Sequence, residues 1–469
     1  MPVQGVYANL NLNQVDVDAW IQQFSRTVEA PATPAALPDT ATAPNPRNSN
    51  RVAEGAGRNA ATRGNATTAN AGSQASAVAS YLPTLFAVRA TELMVGGRKV
   101  NKLVVGGSLD GNIWRANIEA AELDGYAEYR QPGPGNAGRI YARLARLTLA
   151  QQSVKEVETL LDEQPASVPA LDIVVDDLQL RDKKLGRLEL EAINRNVGVA
   201  NGTGREWRLA KMSLQMPEAS LAATGNWTAL NAQSQTLPPT LRSGAPARRT
   251  VLNFKLDIND SGKLLERFGM REVVRLGKGS IDGQVNWLGS PLQVDYPSLG
   301  GAFTVNVENG QFLKADPGLA KLLGVLSLQS LPRRLALDFR DVFSEGFAFD
   351  FVRGDVKIDQ GMASTNNMQM KGVNAAVLLE GRADIANETQ QLRVVVVPEL
   401  NAGTASLVAT AINPLVGIGT FLAQLILRRP LIESATQEFV VDGTWVDPKV
   451  TRVPRKPPAP TEPQPGKTP

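Results

Sequence analysis

Leu252-Asn253-Phe254-Lys255-Leu256-Asp257-Ile258-Asn259 alternates apolar and polar residues without a break. Successive side chains of a strand point to opposite faces, so its four apolar residues share one side and its polar residues the other. The stretch therefore predicts a strand with one apolar face and one wet face. The same period recurs at Leu188 and Leu190, at Phe303, Val305 and Val307, at Leu335, Leu337 and Phe339, and at Phe347, Phe349 and Phe351. Turn dipeptides accompany these runs at Gly96-Gly97, Gly106-Gly107, Asp110-Gly111, Asp124-Gly125, Asn201-Gly202, Asp282-Gly283, Asn309-Gly310 and Asp442-Gly443, and predict antiparallel hairpins.

Helical spacing is scarce inside this region: Val154 to Leu161, Leu264 to Arg271, Gly318 to Leu326 and a segment near the C-terminus. So few helices cannot cover the sheets, yet an apolar face has to be buried against something. Two sheets could cover each other as a sandwich, or one sheet could curve into a gutter whose concave face stays apolar. The expected fold class is mainly β: an elongated, antiparallel, repeat-like β-groove with a few short helices, a disordered N-terminal linker and a disordered C-terminal tail.

Composition divides the chain further. Residues 1–29 read as a short strand and a helix capped by Asp16 or Asp18, the remnant of an upstream groove. Residues 30–80 are Ala, Pro, Thr, Asn and Gly with almost no bulky apolar group, a linker that cannot repay the entropy of ordering. Residues 81–277 form one β-groove segment and 278–452 a second β region carrying an apolar helix over 404–428, while 453–469 is a proline-rich tail. The N-terminus lacks the basic patch and apolar core of a signal peptide, so either the chain is cytosolic or its N-terminal part is missing.

The 469 residues include neither histidine nor cysteine, which removes the imidazole base, the thiolate nucleophile and the preferred zinc and copper ligands. Catalysis by carboxylates or a Ser–Lys pair would survive that filter. Lys278-Gly279-Ser280 lacks the glycine that a phosphate loop needs at the position of Glu272. Asp176-Asp177, and Asp338 with Asp341, read as solvated carboxylates; Asp260-Ser261-Gly262 before Leu264-Leu265 reads as a helix entry rather than a Ser261–Lys263 dyad. No catalytic residue, metal ligand or cofactor site is assigned. Net charge is +3 with both signs interspersed, and no basic groove with aromatic residues marks nucleic acid as a partner.

Glu399 and Arg428 bound 28 residues without a charge, more than the roughly 20 that span a bilayer. Asn413-Pro414 and the glycines at 417 and 419 argue against a continuous span. Leu415, Ile418, Phe421, Leu422, Leu425 and Ile426 instead form a compact apolar helix closing on Arg428 and Arg429, a pair able to meet lipid phosphates. Two placements stay open: the helix docks on a membrane, or it plugs the end of the groove.

Gly310 to Gly318, Leu323 to Arg334 and Asp338 to Phe347, followed by Val396-Val397-Pro398, Asn413-Pro414 and Asp442-Gly443-Thr444-Trp445, resemble the C-terminal region of the AsmA-like YhdP family. Weaker similarity runs back through Pro169 to Ile173 and Arg205 to Leu209. The resemblance implies a periplasmic β-groove, anchored in the inner membrane by an N-terminal helix absent from this chain, that helps phospholipid reach the outer membrane. Leu335, Leu337, Phe339, Phe347, Phe349 and Phe351 are the expected groove lining, and the outer-membrane surface the expected contact of the C-terminal helix. The expected function is non-enzymatic handling of phospholipid. A structural or assembly factor for the outer membrane or its proteins, without lipid carriage, is the rival. No protein partner is named by the sequence.

Overall fold

The computed structural model describes residues 7–16, 19, 84–95, 98–133, 136–149, 168–180, 182–199, 202–229, 248–291, 294–313, 347–372, 375–398, 412, 415, 417–428 and 436–454. The linker at 30–80, the candidate helices at 154–161 and 318–326, most of the tail, and Leu335, Leu337, Phe339 and Arg429 lie outside the described residues. The chain divides into two compact units, Met1–Ala121 and Glu122–Pro469. The expected boundary at 277/278 falls instead inside a strand.

In the first unit β1 (Tyr7–Asp16), β2 (Leu85–Val95), β3 (Arg98–Asp110) and β4 (Ile113–Glu119) lie side by side. β1 runs parallel to β2, and the other neighbours are antiparallel. Ala90, Leu103 and Ala120 form its core, with Val15, Leu93 and Ile118 packed against them. The Asp16 carboxylate accepts the Ala19 amide at 2.9 Å, as expected of a cap after β1.

The second unit carries β5 (Leu123–Arg130), β6 (Arg139–Leu149), β7 (Ala170–Leu180), β8 (Lys183–Val199), β9 (Gly202–Gln215), β10 (Ala219–Ala229), β11 (Arg248–Ile258), β12 (Val274–Leu288), β13 (Gly300–Phe312), β14 (Phe347–Asp359), β15 (Met362–Gly372), β16 (Ala375–Asp384), β17 (Thr389–Pro398), β18 (Gln437–Thr444) and β19 (Pro448–Arg452). They pair in chain order as one sheet, antiparallel throughout except for the parallel β6–β7 pair. Two helices are described, α1 (Ser261–Arg267) and α2 (Gly417–Arg428).

Among the described residues every extensive strand contact is with a sheet neighbour, so no second sheet faces this one. Nevertheless Ile258, Val307, Val377, Val394, Phe439 and Val441 on its apolar side are buried. Side chains on a flat single layer cannot shelter one another to that degree, so the sheet curls with this side inward. Bulges and glycines supply the curvature. Asp124-Gly125, read as a turn, is a register shift inside β5. Gly106-Gly107, Asp282-Gly283, Asn309-Gly310 and Asp442-Gly443 also fall inside strands, whereas Asp110-Gly111 falls at a strand junction and Gly202 opens β9.

α1 follows from Asp260, whose carboxylate accepts the Lys263 amide at 3.0 Å, and it drops Leu264 onto the apolar cluster. Arg267 at its end donates to Glu218 at 2.5 and 2.9 Å and to the Lys184 carbonyl, tying α1 to the β9–β10 turn and to the start of β8. Ser261 is spent on the Leu276 carbonyl at 2.5 Å, so it has a structural partner and no lysine.

Candidate functional site

The inward side of the second unit presents an unbroken row of aliphatic residues. Leu144, Val175, Leu188, Leu214, Leu221, Leu256, Ile281 and Val305, one on each strand from β6 to β13, are each the direct cross-strand partner of the next. From Leu188 onward they are half-buried, open to solvent in part. At ~4.8 Å per strand step the row extends about 34 Å. A second row, Val307, Val352, Met370, Val377 and Val396, runs beside its end across β13 to β17. Leu214 packs against the apolar clusters on both sides of it, which makes them one surface.

Buried stripes bound this lane at both ends of the strands. Toward α1 lie Met216, Ala219, Ile258 and Val307; toward the other end lie Trp287, Leu299 and Ile358, with the Trp287 indole donating to the Ser290 carbonyl at 2.8 Å. The opposite face carries the charge. Lys211 meets Glu189 at 2.7 Å, Gln284 donates to Asn253 at 2.6 Å and Thr304 to Asp355 at 2.7 Å. Farther along, Arg393 bridges Glu438 at 2.6 Å and Glu380 at 2.7 Å, and these hydrogen bonds hold its guanidinium above its ordinary range despite burial. Burial pushes the Asp172 carboxyl up, but hydrogen bonds from Arg143 and Arg139 overcome that and leave it below the usual carboxylate range. These carboxylates serve as ion-pair or hydrogen-bond partners on the wet face. The geometry can hold long apolar matter on one face and keep water on the other.

The expected lining residues divide. Phe347 and Phe349 do face the apolar side, but each is only 4% exposed. A Cβ on Gly310 would collide with the ring of Phe349, and one on Gly372 with the ring of Phe347, so each ring lies over a glycine of the neighbouring strand. Phe349 also packs against Phe312, with ring centroids 5.1 Å apart. They form the closed margin of the surface rather than its accessible lane. Phe351 is a correction: the pairing of β14 with β15 shifts between Phe349 and Phe351, and Val352 takes the inward place. Phe351 turns away beneath the Arg353 guanidinium, 4.0 Å from its ring centroid.

The C-terminal helix is corrected as well. It begins at Gly417 rather than 404 and packs Ile418, Phe421 and Leu422 on Ala376, Leu378, Val395 and Val397. These sheet residues alternate with Val377, Val394 and Val396 of the lane cluster, so α2 covers the outward side of β16 and β17 and does not plug the lane. Ile418 is 0% and Leu422 7% exposed, which leaves neither free to meet a membrane in this state. Asn367 fastens the approach to the helix, bonding Asp355 at 2.7 Å and the Ile412 carbonyl at 3.2 Å. Leu415, before the helix, is 93% exposed. Leu425, Ile426 and Arg428 lie in its last turns. Among the described residues no helix is long and apolar enough to cross a membrane.

The family model described as YhdP protein matches residues 1–450. The chain belongs to the YhdP family. It is 30% identical over 210 residues to a protein of Escherichia coli (strain K12) named intermembrane phospholipid transporter YhdP. That match covers 45% of this chain and 17% of the E. coli protein, so the chain spans less than a fifth of the relative it matches. No solved structure matches. For a YhdP family member the resemblance read from Gly310 onward was thus sound, and so was the mainly β, open-sheet fold. The aliphatic row was not visible beforehand. Each member sits in an alternating strand, but only strand register shows that eight strands place their residues in line.

Proposed function

We propose that this chain conducts phospholipid without catalysing a reaction, as part of a periplasmic groove in a Gram-negative envelope that links inner and outer membranes. Acyl chains lie against the half-buried part of the row, from Leu188 to Val305, while headgroups remain in water at the open edge. The observation that carries this reading is the continuity of that row: a half-buried aliphatic surface, uncharged over successive strands, on a sheet whose other face holds the ion pairs. Burying each methylene there contributes roughly 0.8 kcal/mol with no directional bond, which suits cargo that must bind and also move. The name of the E. coli relative supports the same chemistry.

Native mass spectrometry of the chain purified from a Gram-negative host tests the proposal. Copurified phospholipid, displaced when Leu221 and Leu256 are both replaced by Asp, is the expected result. A lipid-free chain that also takes up none from vesicles would favour the structural or assembly role instead.

A further inference from the structure

The two ends of the strands that carry the lane differ in chemistry. The inward side of β11 reads Arg248, Thr250, Leu252, Phe254, Leu256 and Ile258, so a single cation heads an otherwise uncharged line. At the far end Ile258 is buried with Leu264 of α1, and the Ser261 hydroxyl and Arg267 guanidinium are bonded to the Leu276 carbonyl and to Glu218. Arg248 at the near end is half-buried. Its guanidinium turns back over the sheet and lies 5.4 Å from the centroid of the Trp227 ring, which is fully buried. Trp227 is the cross-strand partner of Thr250, so the charge stands level with the second position of the line rather than beyond its first.

Three indoles share that level. Trp207, Trp227 and Trp287 stand in register with Thr250 across β9 to β12. Those of Trp207 and Trp287 donate to the Pro169 and Ser290 carbonyls at 3.1 and 2.8 Å. That of Trp227 is buried with no acceptor among the described residues, a lack that an ester or phosphate oxygen would meet. Indoles collect at the headgroup boundary of a bilayer, and a guanidinium pairs with phosphate through two parallel hydrogen bonds. Next along β11 come Leu252, Phe254 and Leu256, all half-buried, before the buried Ile258. From the level of Thr250 to Leu256 is about 20 Å at ~3.4 Å per residue. Half of a bilayer ~40–45 Å thick, headgroups included, is about the same, so this stretch is one lipid long.

We propose that Arg248 marks the headgroup end of the lane: a phospholipid lies along β11 with its phosphate at the Arg248 guanidinium and one acyl chain over Leu252, Phe254 and Leu256. The assignment rests on the lipid-conducting reading and gives it an orientation. Ester oxygens then come level with the indoles, and the methyl end of the chain points toward α1.

The test loads the native chain from vesicles of phosphatidylcholine carrying a diazirine either in the headgroup or at the end of one acyl chain, and maps the labelled residues by mass spectrometry. The headgroup probe should label the head of β11 and the end of β10, and the tail probe the stretch from Leu256 to Ile258. The reverse pattern, or headgroup labels spread evenly along β11, would overturn the orientation and leave the lane standing. No label from either probe on the inward line would overturn both. Inorganic phosphate in large excess should leave the headgroup labels in place; their loss with tail labels retained would show a free-anion site and overturn the headgroup assignment. In a second arm Arg248→Gln should lower bound lipid about five-fold at low salt and Arg248→Lys should recover part of it. Arg249→Gln, whose parent side chain bonds Asn286 on the outward face, should change nothing. Unaltered lipid binding by Arg248→Gln would overturn the assignment. Should that variant fail to fold, the label maps on the native chain decide alone.

Discussion

Replacing Ile418 by Ala probes what the C-terminal helix is for. Ile418 is fully buried and meets Leu378, Val395 and Val397, which are themselves almost inaccessible. Truncating such a residue removes its transfer energy and leaves a cavity that rigid strands cannot close, a loss of roughly 2–5 kcal/mol. Leu422→Glu should be worse, by several kcal/mol, because the carboxylate would enter the same contact without a cationic partner among the helix's sheet contacts. Urea unfolding followed by amide exchange in β16, β17 and α2 reads both variants, with liposome flotation alongside. The expected outcome is lost protection centred on these three elements and no change in flotation. A destabilisation under about 0.5 kcal/mol, combined with abolished flotation by Leu422→Glu, would refute the packing argument and restore membrane docking.

Gly310→Val should drive the Phe349 ring off the sheet and lower stability by about 1–3 kcal/mol, seen as a shift in the urea midpoint. Phe349→Asp should cost several kcal/mol, because the residue is buried; a folded variant with unaltered melting would contradict its placement. Acidification should loosen the α1 corner. Burial pushes Glu218 up, but its hydrogen bonds from Arg267 prevail and hold it below the ordinary glutamate range, so the contribution is present above that range and fades as pH falls through the folded pKa. Glu218→Gln should flatten that dependence in melting curves taken from pH 3 to 6.

Alternation was enough to read the inward face of β11 and of much of β13, because period two maps directly onto a pleated strand. It failed at β14, where the bulge beyond Phe349 exchanges the faces, and a bulge changes no residue type that a pattern could register. The helix was misplaced for a different reason. Ala375 to Leu379 and Val394 to Val397 are continuous apolar runs, the mark of strands buried on both faces, and such strands require a cover. That signal was present beside the charge-free segment from 400 to 427, and together they specify an apolar helix packed on β16 and β17 rather than one seeking lipid.

The central claim is that one face of this sheet carries acyl chains, and β11 allows it to be tested residue by residue. A photo-crosslinking residue is placed in turn at Leu252, Asn253, Phe254, Lys255, Leu256 and Asp257, in cells, and captured phospholipid is quantified. Capture at Leu252, Phe254 and Leu256 with little at the three intervening positions is the predicted result. Capture without that two-residue period, or none at the three apolar positions in a folded chain, would contradict the lane.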